Sequence, residues 1–247
     1  MSDRRRLGRL PYRHDPRTLH LADYITPNLP RVPATHDAAT GVQSWPMYAN
    51  DRIGDCTCAA AGHQVQAWTA AAGYPATPAE NDVLHLYERV SGYDPASGAN
   101  DNGAVELDVL NAWRKTGLGK DHIAAFAKVD HARHDLVKAA IYLFGGAYIG
   151  LDLPVSAQTQ KRWALPRGGT TGKGAPGSWG GHAVNVVAYT RGHLTCVTWG
   201  QRMQMSWGFF DAYCSEAWAL LSPDFFAIGK SPAGLDLDQL TRDLQAL

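Results

Sequence analysis

Cysteine, long apolar runs and an excess of charge of either sign are all scarce in this chain of 247 residues. Its four cysteines are too few for a disulfide framework in a chain of this length, which favours a reducing compartment. No apolar stretch reaches the roughly 18 residues of a membrane span, and the N-terminus lacks the apolar centre of a signal peptide. The sequence therefore predicts a cytoplasmic protein with no membrane partner, and leaves open its packaging in a virion.

The charge balance excludes another class of partner. The 23 lysines and arginines equal the 23 aspartates and glutamates, so no overall field attracts nucleic acid. The only basic run is Arg4, Arg5 and Arg6, and no aromatic or basic stripe accompanies it. We expect no nucleic-acid partner and interpret these arginines as a solvated tail.

The distribution of proline, alanine and glycine divides the chain into three parts. Residues 1–44 are rich in proline and arginine and predict an extended arm lying over the body. Helix signals and then strand signals predict one domain at 45–230, with a helical lobe at 45–120 and a β-rich lobe at 121–230. Leucines spaced along one face predict a short C-terminal helix within 231–247.

One predicted helix carries a thiol at its start. Alanine, the best helix former, dominates the segment from Cys56 to Ala72, and Gly73 predicts its end. Asp55 has the side chain of a helix N-cap, which places Cys56 in the first turn. The helix dipole and the free N–H groups there bias a thiol toward the thiolate. Cys56 is therefore the candidate nucleophile, with a pKa that we expect to be lowered.

A second segment supplies a candidate base. Gly180-Gly181-His182-Ala183-Val184 places a histidine at the head of an apolar, β-branched run, which predicts a strand. A histidine beside a thiol can hold its proton and later deliver it to a leaving group. Asn50, six positions before Cys56, offers a side-chain amide that could join the Cys56 N–H in stabilising an oxyanion. Together the two segments predict a cysteine-nucleophile hydrolase.

Further elements follow from local signals. Thr77-Pro78-Ala79-Glu80 has the pattern of a capping box and predicts a second helix that runs to about Val90. The segments from His182 to Tyr189, from His193 to Thr198 and from Met203 to Phe210 predict an antiparallel meander.

The order of these motifs resembles that of the papain-like cysteine peptidase superfamily, and the compact bacterial and phage members more than the lysosomal enzymes. The resemblance runs from Trp45 to about Phe226. It implies an α+β fold with an N-terminal helical lobe, a C-terminal antiparallel β-rich lobe and the active-site cleft between them. It assigns Cys56 as nucleophile, His182 as general base and Asn50 to the oxyanion hole. It also implies a peptide or protein substrate, an acyl-enzyme intermediate and no metal or organic cofactor.

The chain departs from the family at the residue that orients the histidine. Trp199-Gly200 matches the Trp-Gly that follows the orienting asparagine in the family. The position of that asparagine is taken by Val197, whose side chain cannot hydrogen-bond an imidazole. Alternation along a strand turns Thr198 to the other face unless a bulge redirects it toward His182. The sequence therefore predicts a Cys–His dyad whose third member is undefined.

Other interpretations remain open. Cys58 is a rival nucleophile, but it lies two residues deeper in the helix and has Arg52, not an amide, six positions upstream. A zinc site on Cys56 and Cys58 is disfavoured because structural zinc sites use wider cysteine pairs. The missing asparagine favours a second function, a papain-like fold serving as a structural or adaptor component, for example of a phage particle with protein assembly partners. Cell-wall peptide cleavage and acyl transfer fit Cys56 and His182 as well as proteolysis does.

Overall fold

The computed structural model describes residues 5–25 and 31–224, and the C-terminal helix predicted within 231–247 lies outside them. The described residues form six helices: α1 (Leu21–Tyr24), α2 (Cys56–Ala72), α3 (Glu80–Ser91), α4 (Glu106–Thr116), α5 (His134–Phe144) and α6 (Trp207–Tyr213). They form seven strands: β1 (His36–Asp37), β2 (Ala125–Lys128), β3 (Ala147–Leu153), β4 (Gly180–Tyr189), β5 (His193–Thr198), β6 (Gln201–Ser206) and β7 (Cys214–Leu221). Two short 3-10 turns, Val155–Thr159 and Gly172–Gly174, lie in the long loop before β4.

The strands form one antiparallel sheet in the order β2-β7-β3-β4-β5-β6, and the short β1 pairs with β4. One large apolar cluster packs α5 and α6 against the sheet. A second cluster lies between the sheet and the helices α2, α3 and α4. Both faces of the sheet are therefore covered, one by α5 and α6 and the other by α2, α3 and α4. No helix in the described ranges is both long and apolar enough to cross a bilayer.

Helix α2 lies at the centre of the molecule. All of its residues from Cys56 to Thr69 are buried, because β4 packs on one side of it and α3 and α4 pack on the other. The indole of Trp68 stacks on that of Trp113 of α4 at 5.3 Å between ring centroids. Its many alanines allow such close approach from every side, since a helix with larger side chains would hold its neighbours further away. The helix ends as predicted, with Gly73 at φ 93° accepting the left-handed turn.

Two predicted helix starts need correction. The Asp55 side chain makes no capping hydrogen bond to α2, because its Oδ1 accepts from the side-chain amide of Asn50 at 3.1 Å instead. Helix α3 begins at Glu80 with no side-chain cap, so the predicted capping box is wrong. The hydroxyl of Thr77 instead accepts a hydrogen bond from Gln66 of α2 at 3.2 Å. In both cases another side chain, and not a helix N–H group, bonds the side chain that was expected to cap the helix.

The predicted strand from Met203 to Phe210 is also wrong in its second half. Strand β6 stops at Ser206, whose hydroxyl accepts from the Phe209 N–H at 3.1 Å and caps helix α6. The chain then returns as β7, a strand absent from the prediction, which pairs with both β2 and β3. Strand β7 carries the buried acid Glu216.

Candidate active site

The structure brings the two predicted segments together where the start of α2 meets the start of β4. Cys56 is the first residue of α2, and its side chain is buried. Its Sγ accepts a hydrogen bond from the backbone N–H of Ala183 at 3.4 Å. His182, the residue before Ala183, is therefore a near neighbour of the thiol. Cys58 is equally buried, but its Sγ accepts a hydrogen bond from the hydroxyl of the neighbouring Thr57 at 3.9 Å and not from the strand that carries His182.

His182 is held in place by two contacts. Its Nε2 lies 2.7 Å from the hydroxyl of Thr198, at the end of β5. Its ring stacks on the indole of Trp199 at 4.3 Å between centroids, with 13° between the planes. The Nδ1 atom is buried and has no hydrogen-bond partner among the described residues. The contacts thus fix the ring and leave one nitrogen for chemistry.

The side chain that orients His182 is Thr198, and the assignment of that position to Val197 is wrong. Val197 pairs with Asn185 across the β4–β5 ladder and packs in the small cluster that contains Ala67 of α2. Asn185 is three residues beyond His182, so the two lie on opposite faces of β4. Val197 shares the face of Asn185, which turns the next residue, Thr198, toward His182. Trp199 then leaves the strand at φ 45°.

Asn50 does not present its amide to the thiol. Its Nδ2 donates to the Ile53 carbonyl at 3.2 Å and to Asp55 Oδ1 at 3.1 Å, which uses both of its N–H bonds. Burial raises the pKa of Asp55 well above its usual range, although the hydrogen bond from Asn50 lowers it in part. The predicted oxyanion role of Asn50 is therefore not supported by its position in this structure, because the buried carboxyl group holds the amide.

The groove over Cys56 is filled by residues 5–10 of the chain, which we call the blocking segment. The Arg6 N–H donates to the Asn50 carbonyl and the Arg9 N–H to the Gly181 carbonyl, each at 3.1 Å. The Trp199 indole donates to the Arg6 carbonyl at 3.1 Å. A hydrogen bond from the Gly8 N–H also lowers the pKa of the Cys56 thiol. Arg5 and Arg6 of the basic run therefore lie along the groove, where the sequence predicted a solvated tail.

Glycines on both sides of the groove make this approach close. A Cβ on Gly8 would lie 1.7 Å from the carbonyl oxygen of Gly54. A Cβ on Gly103 would lie 2.1 Å from the Gly8 oxygen, and one on Gly181 would lie 2.2 Å from the Arg9 oxygen. Two further hydrogen bonds, Leu10 N–H to the Ala104 carbonyl and Ala104 N–H to the Gly8 carbonyl, fasten the segment at 2.9 and 2.8 Å. Backbone contacts thus fasten the segment at several points along its path.

Burial in this closed groove favours the neutral forms of both candidate catalytic groups. It raises the pKa of the Cys56 thiol to about 12, and the N–H groups of Ala183 and Gly8 offset this only in part. Burial, together with the cations of Arg9 and Arg5, lowers the pKa of His182 to about 3. The lowered thiol pKa predicted from the helix start is therefore wrong for the closed state, in which loss of solvent outweighs the helix dipole.

This protonation state has a measurable signature. Because only the thiolate reacts, alkylation of Cys56 by iodoacetamide should accelerate about tenfold per pH unit between about pH 7 and about pH 10, without a plateau. Mass spectrometry of the peptide that contains Cys56 reports the rate at each pH. A plateau below about pH 9 would mean that the thiol titrates in its ordinary range with the groove closed, contrary to the pKa given above.

No protein-family model and no curated protein matches the sequence. Solved structures do. Xylellain, a cysteine protease from Xylella fastidiosa, is 15% identical with a TM-score of 0.66, covering 89% of this chain and 97% of that one. Bromelain protease from Ananas comosus is 14% identical with a TM-score of 0.54, covering 77% and 99%. Digestive procathepsin L 3 of Tenebrio molitor is 11% identical with a TM-score of 0.58, covering 89% and 76%. The predicted α+β architecture is confirmed, and this chain has the fold of the papain-like cysteine peptidases.

Proposed function

We propose that this protein is a cysteine peptidase or amidase that hydrolyses peptide or amide bonds through an acyl-enzyme, with Cys56 as nucleophile and His182 as general base. The observation that carries the proposal is the contact of Cys56 with Ala183 beside a histidine whose other nitrogen is engaged by Thr198. A nucleophile, a base and a group that orients the base are the parts that covalent catalysis requires. The fold, shared with proteins described as cysteine proteases, supports the same function.

In this proposal each nitrogen of His182 has its own role. When Nε2 carries the proton and donates it to the Thr198 hydroxyl, Nδ1 keeps the lone pair that accepts the thiol proton. The Cys56 sulfur then attacks the substrate carbonyl carbon, and the protonated Nδ1 returns the proton to the departing amine. Water attacks the thioester in turn, with His182 again taking the proton, and Cys56 is regenerated.

Stabilisation of the oxyanion belongs, in this proposal, to the backbone N–H of Cys56. The first N–H groups of a helix have no intrahelical acceptor. For the Cys56 N–H, no acceptor is found among residues 5–25 and 31–224. Asn50 would join it only after its amide left Asp55, so we assign Asn50 a structural contact with Asp55 in the closed state.

The substrate-side setting is proposed on similar grounds. The partner is a peptide or protein segment, since the groove already accommodates an extended stretch of polypeptide, the blocking segment. All four cysteines are free thiols, which supports action in a reducing compartment such as the cytoplasm.

The test of the proposal is covalent labelling followed by hydrolysis. We expect E-64, the inhibitor bound in the bromelain structure, to add once to the full-length protein, at Cys56, and to stop cleavage of a casein or peptide substrate. The Cys56→Ala variant should take up no E-64. An adduct at Cys58, or cleavage that persists in the fully labelled protein, would contradict the assignment.

A separate prediction concerns the orienting hydroxyl. Thr198→Val should lower kcat about tenfold or more, because an imidazole without its hydrogen bond samples the wrong tautomer and orientation. Thr198→Ser keeps the hydroxyl and should retain most of the activity. Val197→Asn should bring no gain, since that side chain faces α2. Steady-state kinetics on the three variants checks this, and equal activity of the valine and serine variants would remove Thr198 from the mechanism.

The adaptor function keeps one observation in its favour. The closed groove and the neutral Cys56–His182 pair describe a site that is inactive as it stands. If the protein served as an assembly component, thiol labelling would stay slow even after the blocking segment is displaced, and no peptide would be cleaved. The displaced-segment variants introduced below separate the two functions.

A further inference from the structure

The blocking segment places one buried side chain in a pocket lined by acids. The guanidinium of Arg9 is 1% exposed and donates to Glu216 Oε1 at 2.7 Å and to Asp152. Glu216 comes from β7, Asp152 from the end of β3, and a third carboxyl group, Glu106, from the first residue of α4. We call Glu106, Asp152 and Glu216 the acidic pocket. Three separate elements therefore converge on one cation.

The pocket has room for this side chain because its floor is a glycine. Gly150 lies directly opposite Glu216 in the β3–β7 ladder. A Cβ on Gly150 would lie 2.7 Å from Arg9 Cδ, 2.7 Å from Glu216 Cγ and 2.8 Å from Glu106 Oε1. A larger residue there would fill the space that the arginine stem now occupies. The cavity is thus shaped for a long side chain that enters from the groove.

The charges call for a cation. Burial raises the pKa of Glu106, and the neighbouring Glu216 raises it further. The two carboxyl groups therefore do not readily carry a negative charge at the same time. Burial also raises the pKa of Glu216, which the Arg9 charge offsets in part. An apolar side chain in the same place would leave the buried carboxyl groups without a partner, which is strongly unfavourable. Such sites discriminate strongly against ligands that lack the matching group.

The position of the pocket ties it to the reaction centre. Arg9 follows Gly8, whose N–H acts on the Cys56 sulfur, and the Arg9 N–H bonds to the carbonyl of Gly181, the residue before His182. Asp152 is the ladder partner of that same Gly181. A peptide that takes the place of the blocking segment would therefore have one residue over the thiol. The side chain of an adjacent residue would enter the pocket.

We propose that the acidic pocket is a specificity site that selects an arginine or lysine side chain of the substrate, and that Arg9 occupies it in the closed state. The inference rests on the proposed peptidase function and names its substrate class, peptide segments with a basic residue next to the residue that is attacked.

The test uses the full-length Arg9→Ala variant, which vacates the pocket and leaves its acids intact. The substrates are internally quenched peptides that differ only by arginine, lysine, leucine or glutamate, moved one position at a time, with cleavage sites located by mass spectrometry. We expect kcat/KM to be at least about tenfold higher with arginine or lysine than with leucine one residue from the attacked one, and lowest with glutamate. A preference for leucine with efficient cleavage would overturn the acidic pocket and leave the peptidase function standing.

Variants of the pocket refine the test. In the same Arg9→Ala background, Glu216→Gln keeps the side-chain shape and should reduce the preference for arginine over leucine about tenfold or more. Asp152→Asn, at a side chain that is 40% exposed, is easily tolerated and should shift the preference in the same direction by less. The matched control is Asp135→Asn. Asp135 is an exposed acid on α5 that pairs with Arg133, and its replacement should leave the preference unchanged.

Binding is measured separately from turnover. N-acetyl-arginine amide should slow iodoacetamide labelling of Cys56 in Arg9→Ala, and N-acetyl-leucine amide at the same concentration should not. Protection by arginine without cleavage of any peptide would support the pocket and reject the peptidase function. Equal protection by the two amides would reject the pocket, whatever the peptides show.

Discussion

Replacing Cys56 with alanine in the Arg9→Ala protein is expected to reduce peptide hydrolysis by about 10⁴-fold or more. The thiol at the start of α2 is the nucleophile of the proposed mechanism, and removal of a catalytic nucleophile has effects of this order. The measurement is kcat/KM on the arginine peptide, with the folded state checked by thermal unfolding.

The matched control is Cys58→Ala, two residues further along the same helix. Its side chain faces the apolar cluster, so its loss should cost about 1 kcal/mol of stability and change kcat/KM by less than about threefold. A large loss in both variants would point to damage to α2. A large loss in Cys58→Ala alone would move the nucleophile.

Gly8→Ala is expected to open the groove in an otherwise unchanged chain. The new Cβ would lie 1.7 Å from the backbone oxygen of Gly54, which no side-chain rotation can relieve, so the blocking segment must leave its path. Exposure of Cys56 to water restores the bias of the helix start toward the thiolate. We expect iodoacetamide to label Cys56 at least about tenfold faster at neutral pH than in the wild-type protein.

Leu10→Ala serves as the comparison, because Leu10 is 39% exposed and its replacement leaves the backbone contacts of the segment in place. Labelling in this variant should match the wild type. If Gly8→Ala labels no faster than Leu10→Ala, the burial of Cys56 does not depend on the blocking segment, and the explanation of its raised pKa fails.

Local signals in the sequence were sufficient to predict the helix and the strand that carry the candidate pair, Cys56 and His182. The alanine run and Gly73 fixed both ends of α2, and the β-branched run after His182 fixed the start of a strand. Those signals act over a few residues, and the backbone follows them. The papain-like fold could be predicted because motif order survives where identity has fallen to 11–15%. A phage or bacterial origin stays a prediction, and so do the domain boundaries.

The environment of that pair could not be predicted in the same way. The Asn50 amide donates to Asp55, and burial raises the pKa of Asp55. Neither residue therefore serves the helix or the thiol as its residue type suggests. Thr198 reaches His182 because of the pairing register between β4 and β5, which a motif two residues long does not specify. One group that influences the thiol pKa, the Gly8 N–H, lies more than 45 positions away in the sequence. The last two are tertiary effects without a local signal.

The polarity of the blocking segment has a consequence for how the closed state ends. Arg9 pairs in parallel with Ala104, and a hydrogen bond from the Gly8 N–H lowers the pKa of the Cys56 thiol. The segment is held by hydrogen bonds and ion pairs, and Cys56 is a free thiol. We therefore expect closure to be an equilibrium between docked and undocked populations of the segment. On the proposed specificity, a competing basic peptide should shift that equilibrium according to its own affinity, and the site should close again when the peptide is gone.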